Sequence, residues 1–105
     1  RHYRSRYDLA IARAVADAPV VAEYLIPLIK QTGEALLFKG NWCQIESQNL
    51  TKALTNLNAS IEKVQSIELP SNRGKRHLIR LKSLATCPSV YPRSIGVPAK
   101  KPLGL

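Results

Sequence analysis

The chain has 105 residues, enough for one small domain with a modest hydrophobic core. No run reaches the roughly 18 apolar residues that a membrane helix needs, and nothing resembles a signal peptide, so a soluble, cytoplasmic protein is expected. The two cysteines, Cys43 and Cys87, lie far apart with no metal-ligand spacing to His2 or His77, which argues against a metal site and for idle thiols.

The net charge of +9 is unevenly placed. From residue 73 onward come Arg73, Lys75, Arg76, Arg80, Lys82, Arg93, Lys100 and Lys101, with no carboxylate among them. Upstream, cations and acids nearly balance. A basic block of this kind favours a polyanion, and nucleic acid is the commonest one. The plainer alternative is a basic tail that only aids solubility. There is no Met, and the sequence begins at Arg1, as expected of a fragment or trimmed chain.

In chain order, residues 1–6 read as a polar loop. Tyr7–Ala12 is short and apolar, as suits a buried strand of a parallel sheet. Asp17 is placed to cap a helix with Pro19 in its first turn, and Val20, Val21, Tyr24, Leu25 and Leu28 share one face. Pro27 should fray the last turn, and Gly33 supplies the stop. Ala35–Phe38 is the next apolar run, ending at Lys39 and Gly40. Ile45, Leu50, Ala53, Leu54 and Leu57 outline a second helix, and Val64–Leu69 a third strand. Residues 70–75 are turn-rich. His77, Ile79 and Leu81 then alternate with Leu78, Arg80 and Lys82 in a last strand with one apolar and one basic face.

The order β-α-β-α-β-β predicts the end of an α/β open sheet: three parallel strands joined by helical crossovers, then an antiparallel last strand. Residues 1–83 form this unit. Residues 84–105 hold four of the seven prolines and are expected as a basic, proline-rich tail, laid along the surface or ordered on RNA.

In open α/β sheets ligands bind beyond the carboxyl ends of the parallel strands. Arg13 follows the first strand and Lys39 the second, while Arg73, Lys75 and Arg76 surround the loop after the third. Topology thus gathers cations at one edge. Each has a duller alternative: Arg13 pairing with a carboxylate, Lys39 as a solvated strand end, the loop cations as an ordinary hairpin. His77 reads as a packed strand histidine and Asp8 as lying away from this edge. No Ser-His-Asp set, carboxylate pair or glycine-rich phosphate loop is present, so any chemistry here needs little acid–base help or receives it from elsewhere.

The stretch Tyr7–Gly40 (YDLAIARAVADAPVVAEYLIPLIKQTGEALLFKG) resembles the second half of the RsmG family, also called glucose-inhibited division protein B. So do Glu68–Ser83 (ELPSNRGKRHLIRLKS) and the ending Tyr91–Leu103 (YPRSIGVPAKKPL). The resemblance covers essentially the whole chain, and the basic ending is its most specific part. It implies the C-terminal half of a class I, Rossmann-like methyltransferase acting from S-adenosylmethionine on guanine N7 of 16S rRNA, with the small ribosomal subunit or its precursor as partner. Arg13 then matches an arginine associated with the cofactor site. Lys39 and Arg76 match positions near the active-site edge with an RNA or cofactor role, and Arg93, Lys100 and Lys101 match a basic tail suited to phosphate contact. The family's glycine-rich loop and ribose-gripping acid are not in this sequence. The chain alone is therefore expected to bind the cofactor poorly and to be inactive. Two other readings compete: a non-catalytic RNA-binding module, and a methyltransferase fragment for a small molecule or protein, which the basic ending disfavours.

Overall fold

The computed structural model describes residues 4–13, 17–68 and 75–104. Four strands form one mixed sheet: β1 (Tyr7–Arg13), β2 (Ile29–Lys39), β3 (Ala59–Glu68) and β4 (Lys75–Ser83). Helix α1 (Ala18–Leu25) connects β1 to β2, and α2 (Gln44–Asn56) connects β2 to β3. A short helix α3 (Val97–Lys100) lies in the terminal segment. The sheet order is β1-β2-β4-β3. β1 and β2 are parallel, and β4 runs antiparallel to both of its neighbours. The first three strands therefore share one direction, and the last returns between the second and third, as the short β3–β4 connection requires.

The core lies between the sheet and α1 and α2, which pack on each other. Ala35 and Leu37 of β2 and Ile79 and Leu81 of β4 point to this side, against Ala22 and Leu25 of α1 and Leu50, Ala53 and Leu54 of α2. The apolar and basic alternation of β4 is present: Ile79 and Leu81 are buried, whereas Arg80 is half-buried and Lys82 exposed. On the opposite face Leu9, Leu36, Phe38 and Leu78 are only partly covered, and Ile11 is 56% exposed. Arg80 pairs there with Glu34 at 3.1 Å.

Several elements differ from the sequence expectation. Helix α1 ends at Leu25 and tightens into a 3-10 turn over Ile26–Leu28, because Pro27 has no amide hydrogen to continue the helix. Strand β2 starts at Ile29, so Gly33 lies inside a strand and stops no helix. Its pairing shifts from Tyr7↔Ile29 to Leu9↔Glu34, and the added residues of β2 are taken up in this irregularity. There a Cβ on Gly33 would stand 2.9 Å from the Tyr7 carbonyl oxygen, which is why the position takes glycine. Asp17 occupies the N-cap, but its side chain makes no capping bond; its carbonyl accepts from the amides of Val20 and Val21. Tyr24 and Ile45 lie off the packed faces, at 37% and 68% exposure, and Glu23 is buried instead. β3 begins five residues before Val64, and Leu69 falls outside the described residues.

After β4 the chain turns over Asn58, whose carbonyl accepts from the amides of Leu84 and Ala85. It then crosses the helical layer, burying Cys87, Pro98 and Leu103. Gly104, at φ +80°, closes against Lys52 and Ala53 of α2. Burial pushes the Cys87 thiol up, opposed by the nearby positive charge of Arg4, which suits an unreactive thiol.

Candidate functional site

The strand register assembles one edge from separate parts of the sequence. Arg13, exposed at the end of β1, is the register partner of Phe38, and Lys39 at the end of β2 is that of His77. On the far strand Arg76 pairs with Ile67, and Lys75 with Glu68. With neighbouring strands about 4.8 Å apart, Arg13 and Leu78, in register two strands over, lie about 10 Å from each other, with Arg76 two residues further toward the start of β4. The sheet thus brings Arg13, Lys39, Lys75 and Arg76 to one edge. Arg73 lies outside the described residues.

Two residues fixing this edge were not singled out from the sequence. Glu46, in the first turn of α2, holds Lys39 with an Nζ–Oε2 distance of 3.1 Å; the pair is 17% and 30% exposed. The visible signal was an acid near a helix start, a common and uninformative feature. Gly40 turns its carbonyl oxygen to Nδ1 of His77 at 3.2 Å, and that ring nitrogen then carries the proton it donates. His77 is half-buried in the strand, consistent with a packing role. The amino ends of α1 and α2 reach the same side, where Asp17, Pro19, Glu46 and Asn49 line a small hollow. Their helix dipoles add positive potential to the edge.

The tail cations lie elsewhere. Arg93 donates from Nε and Nη2 to both carboxylate oxygens of Glu23, at 2.7 to 3.2 Å, and its backbone amide donates to the same group at 2.8 Å. Glu23 is completely buried. Burial alone raises its pKa, but the Arg93 side-chain bonds, the backbone bond and the attraction of the cation together hold it below the usual carboxylate value. Arg93 is thus engaged within the fold, whereas Lys100 and Lys101 are exposed. Asp8 pairs with Lys30 at 3.4 Å, near the strand starts and away from the cationic edge. Among the described residues no three His, Cys, Asp or Glu side chains are grouped to hold a metal ion. No described helix is long and apolar enough to cross a membrane.

A mixed sheet with an antiparallel strand inserted between parallel ones is part of a Rossmann-like methyltransferase fold. A Thermoplasma acidophilum protein assigned as a methyltransferase shares this fold, with a TM-score of 0.56 at 12% identity over 77% of this chain and 40% of that one. The family model described as GidB, rRNA small subunit methyltransferase G, matches residues 1–79, and the chain belongs to that family. Ribosomal RNA small subunit methyltransferase G of Prochlorococcus marinus strain NATL1A is 57% identical over 102 residues, covering 97% of this chain and 41% of the relative. The protein of the same name from Synechococcus sp. strain CC9902 is 50% identical over 104 residues, covering 99% and 43%. The chain spans about two fifths of the length of the curated relatives it matches.

Proposed function

We propose that this chain forms part of an enzyme that methylates guanine N7 of 16S rRNA from S-adenosylmethionine. The observation that carries the proposal is the convergence of Arg13, Lys39 and Arg76 on one sheet edge, in a chain of this family. The partner is the small ribosomal subunit or its precursor, and the place of action is the cytoplasm. The basic block after residue 73 favours RNA over a small-molecule or protein acceptor.

The edge suits the cofactor in part. The exposed Arg13, beside the half-buried Phe38 ring, offers a guanidinium to a carboxylate and an aromatic surface next to it. S-adenosylmethionine supplies a methyl group on a cationic sulfur. Guanine N7 has a lone pair and no proton to lose, so the protein has little acid–base work to do. Arg13 orients the cofactor through its carboxylate. Lys39, steered by Glu46, and Arg76 hold rRNA phosphates so that the base lies in line with the donor. Lys100 and Lys101 extend the phosphate contacts, while Arg93 anchors the segment that carries them. The glycine-rich part of the cofactor site is assigned to residues outside this chain, which is why the 105 residues alone are expected to be inactive.

The test is methyl transfer to 16S rRNA by the whole protein, with the product base identified by mass spectrometry. 7-Methylguanine is expected, and Arg13→Ala should lower kcat/KM about ten- to a hundredfold, mainly through the cofactor KM. RNA binding without any methyl transfer would favour the non-catalytic module.

A further inference from the structure

At the end of the molecule opposite the cationic edge, the start of the tail and the end of α1 enclose an open hollow of about 660 Å³. Its walls include Tyr24, Pro27, Tyr91 and Pro92, with Arg4 and Ser89 also facing it. The position follows from the topology. α1 carries the chain back from the carboxyl end of β1 to the amino end of β2, and the amides of Ser5 and Arg6 donate to the carbonyls of Pro27 and Leu28 there.

The hollow is built by specific bonds. The Arg4 guanidinium donates to the carbonyls of Cys87, Pro88 and Tyr91, tying the residues before β1 to the tail. The Glu23–Arg93 pair fixes the tail immediately after Pro92, and Arg93 also donates to the Lys101 carbonyl at 2.6 Å. Arg4 lines the hollow, and Arg93, next in sequence to Pro92, has its charge met by Glu23. Tyr24, Tyr91, Pro27 and Pro92 thus line the hollow together with the cationic Arg4. That combination fits an unstacked base with its phosphate, since every base has a face to stack and the backbone is anionic.

We propose that this hollow is a second RNA contact, taking one unstacked nucleotide of the substrate well away from the reacting base. This rests on the RNA-methyltransferase reading and extends the RNA footprint around the α1 end of the domain. The hollow contributes affinity and register, with no part in the chemical step.

The experiment uses the whole protein, deproteinised 16S rRNA, and a 4-thiouridine-labelled single-stranded oligonucleotide for photocrosslinking. Tyr24→Ala is the main variant, because this ring is partly exposed and lies off the buried face of α1. Tyr24→Phe is its control, since it keeps the ring. The expected result is a crosslink at Tyr24 or Tyr91, with roughly five- to thirtyfold weaker 16S rRNA binding for Tyr24→Ala. Tyr24→Phe should stay near wild type, and kcat at saturating RNA should be unchanged. Crosslinks confined to the Arg13–Lys39 edge, with Tyr24→Ala binding like wild type while methylation proceeds, would overturn the second contact and leave the methyltransferase reading standing. A wild-type protein that neither binds nor methylates 16S rRNA would overturn both.

Discussion

The Glu23 carboxylate and the Arg93 guanidinium form a two-pronged ion pair across 70 residues of sequence, with Nη2 to Oε1 at 2.7 Å and Nε to Oε2 at 3.0 Å. It joins α1 to the segment after β4. Glu23 is fully buried, so its charge is tolerated only because Arg93 meets it. Removing one partner strands the other. Arg93→Met, which leaves the buried Glu23 carboxylate unmet, should cost about 3–5 kcal/mol of unfolding free energy, measured by urea denaturation, and Glu23→Gln, which leaves a partly exposed guanidinium, should cost less. The double variant Glu23→Leu with Arg93→Met should recover much of that loss. Equal losses in the single and double variants would mean that the pair does not hold the tail.

The same pair sets an acid limit. Glu23 has a lowered pKa in the folded state, so its stabilisation is fully present above the unfolded value of about 4.3. That stabilisation is lost as pH falls through the folded pKa. Stability attributable to the pair should therefore hold between pH 7 and about pH 5 and decline below about pH 4.3. Thermal melts of wild type and the double variant across this range measure it. Wild type should lose stability relative to the double variant toward acid.

Much of the sheet was legible in the sequence, and the reason is local. Tyr7–Ala12 is a short apolar run and residues 77–82 alternate with a period of two, both as suits strands, and the short link before the last strand required an antiparallel return. β1 is not the buried strand expected, because it lies at the sheet edge with Tyr7, Leu9 and Ile11 exposed. The end of α1 was not legible. Leu25, Ile26, Leu28 and Ile29 extend a helical pattern straight into β2, and only the backbone consequence of Pro27 separates the two. The role of Arg93 was hidden for a different reason. A buried acid on an amphipathic helix looks like a surface acid until its distant partner is placed beside it. Arg13, Lys39 and Arg76 were readable as one edge because strand direction alone puts them there, whereas Glu46 required the helix orientation.

Gly33 is a sharper test of the β1–β2 register. A Cβ there would meet the carbonyl oxygens of Tyr7, Asp8 and Lys30 at 2.9 to 3.1 Å, all backbone atoms that cannot swing aside. Gly33→Ala should destabilise the domain by about 1–3 kcal/mol. Gly40→Ala, with nothing within 4 Å of the added carbon, should change stability little. Comparable melting temperatures for the two variants would show that the register differs.

Lys39 and Glu46 make opposite predictions for RNA. Lys39→Gln should weaken binding across RNA sequences and reduce the salt slope by about 1, the effect of one lost phosphate contact. Glu46→Gln frees the ammonium from its 3.1 Å partner and should strengthen binding at low salt. Fluorescence anisotropy with a labelled 16S fragment over a salt series distinguishes them. Identical behaviour of both variants would remove Lys39 from the RNA-facing edge.

The most direct test of the central claim, that this edge is one part of a divided cofactor site, is calorimetric titration with S-adenosylmethionine. It compares the 105 residues with a version extended upstream through a glycine-rich loop. Binding by the extended protein, abolished or weakened at least tenfold by Arg13→Ala, is the predicted result, with little or none by the shorter chain. Tight binding by the 105 residues alone, or an extended protein indifferent to Arg13, would contradict the account.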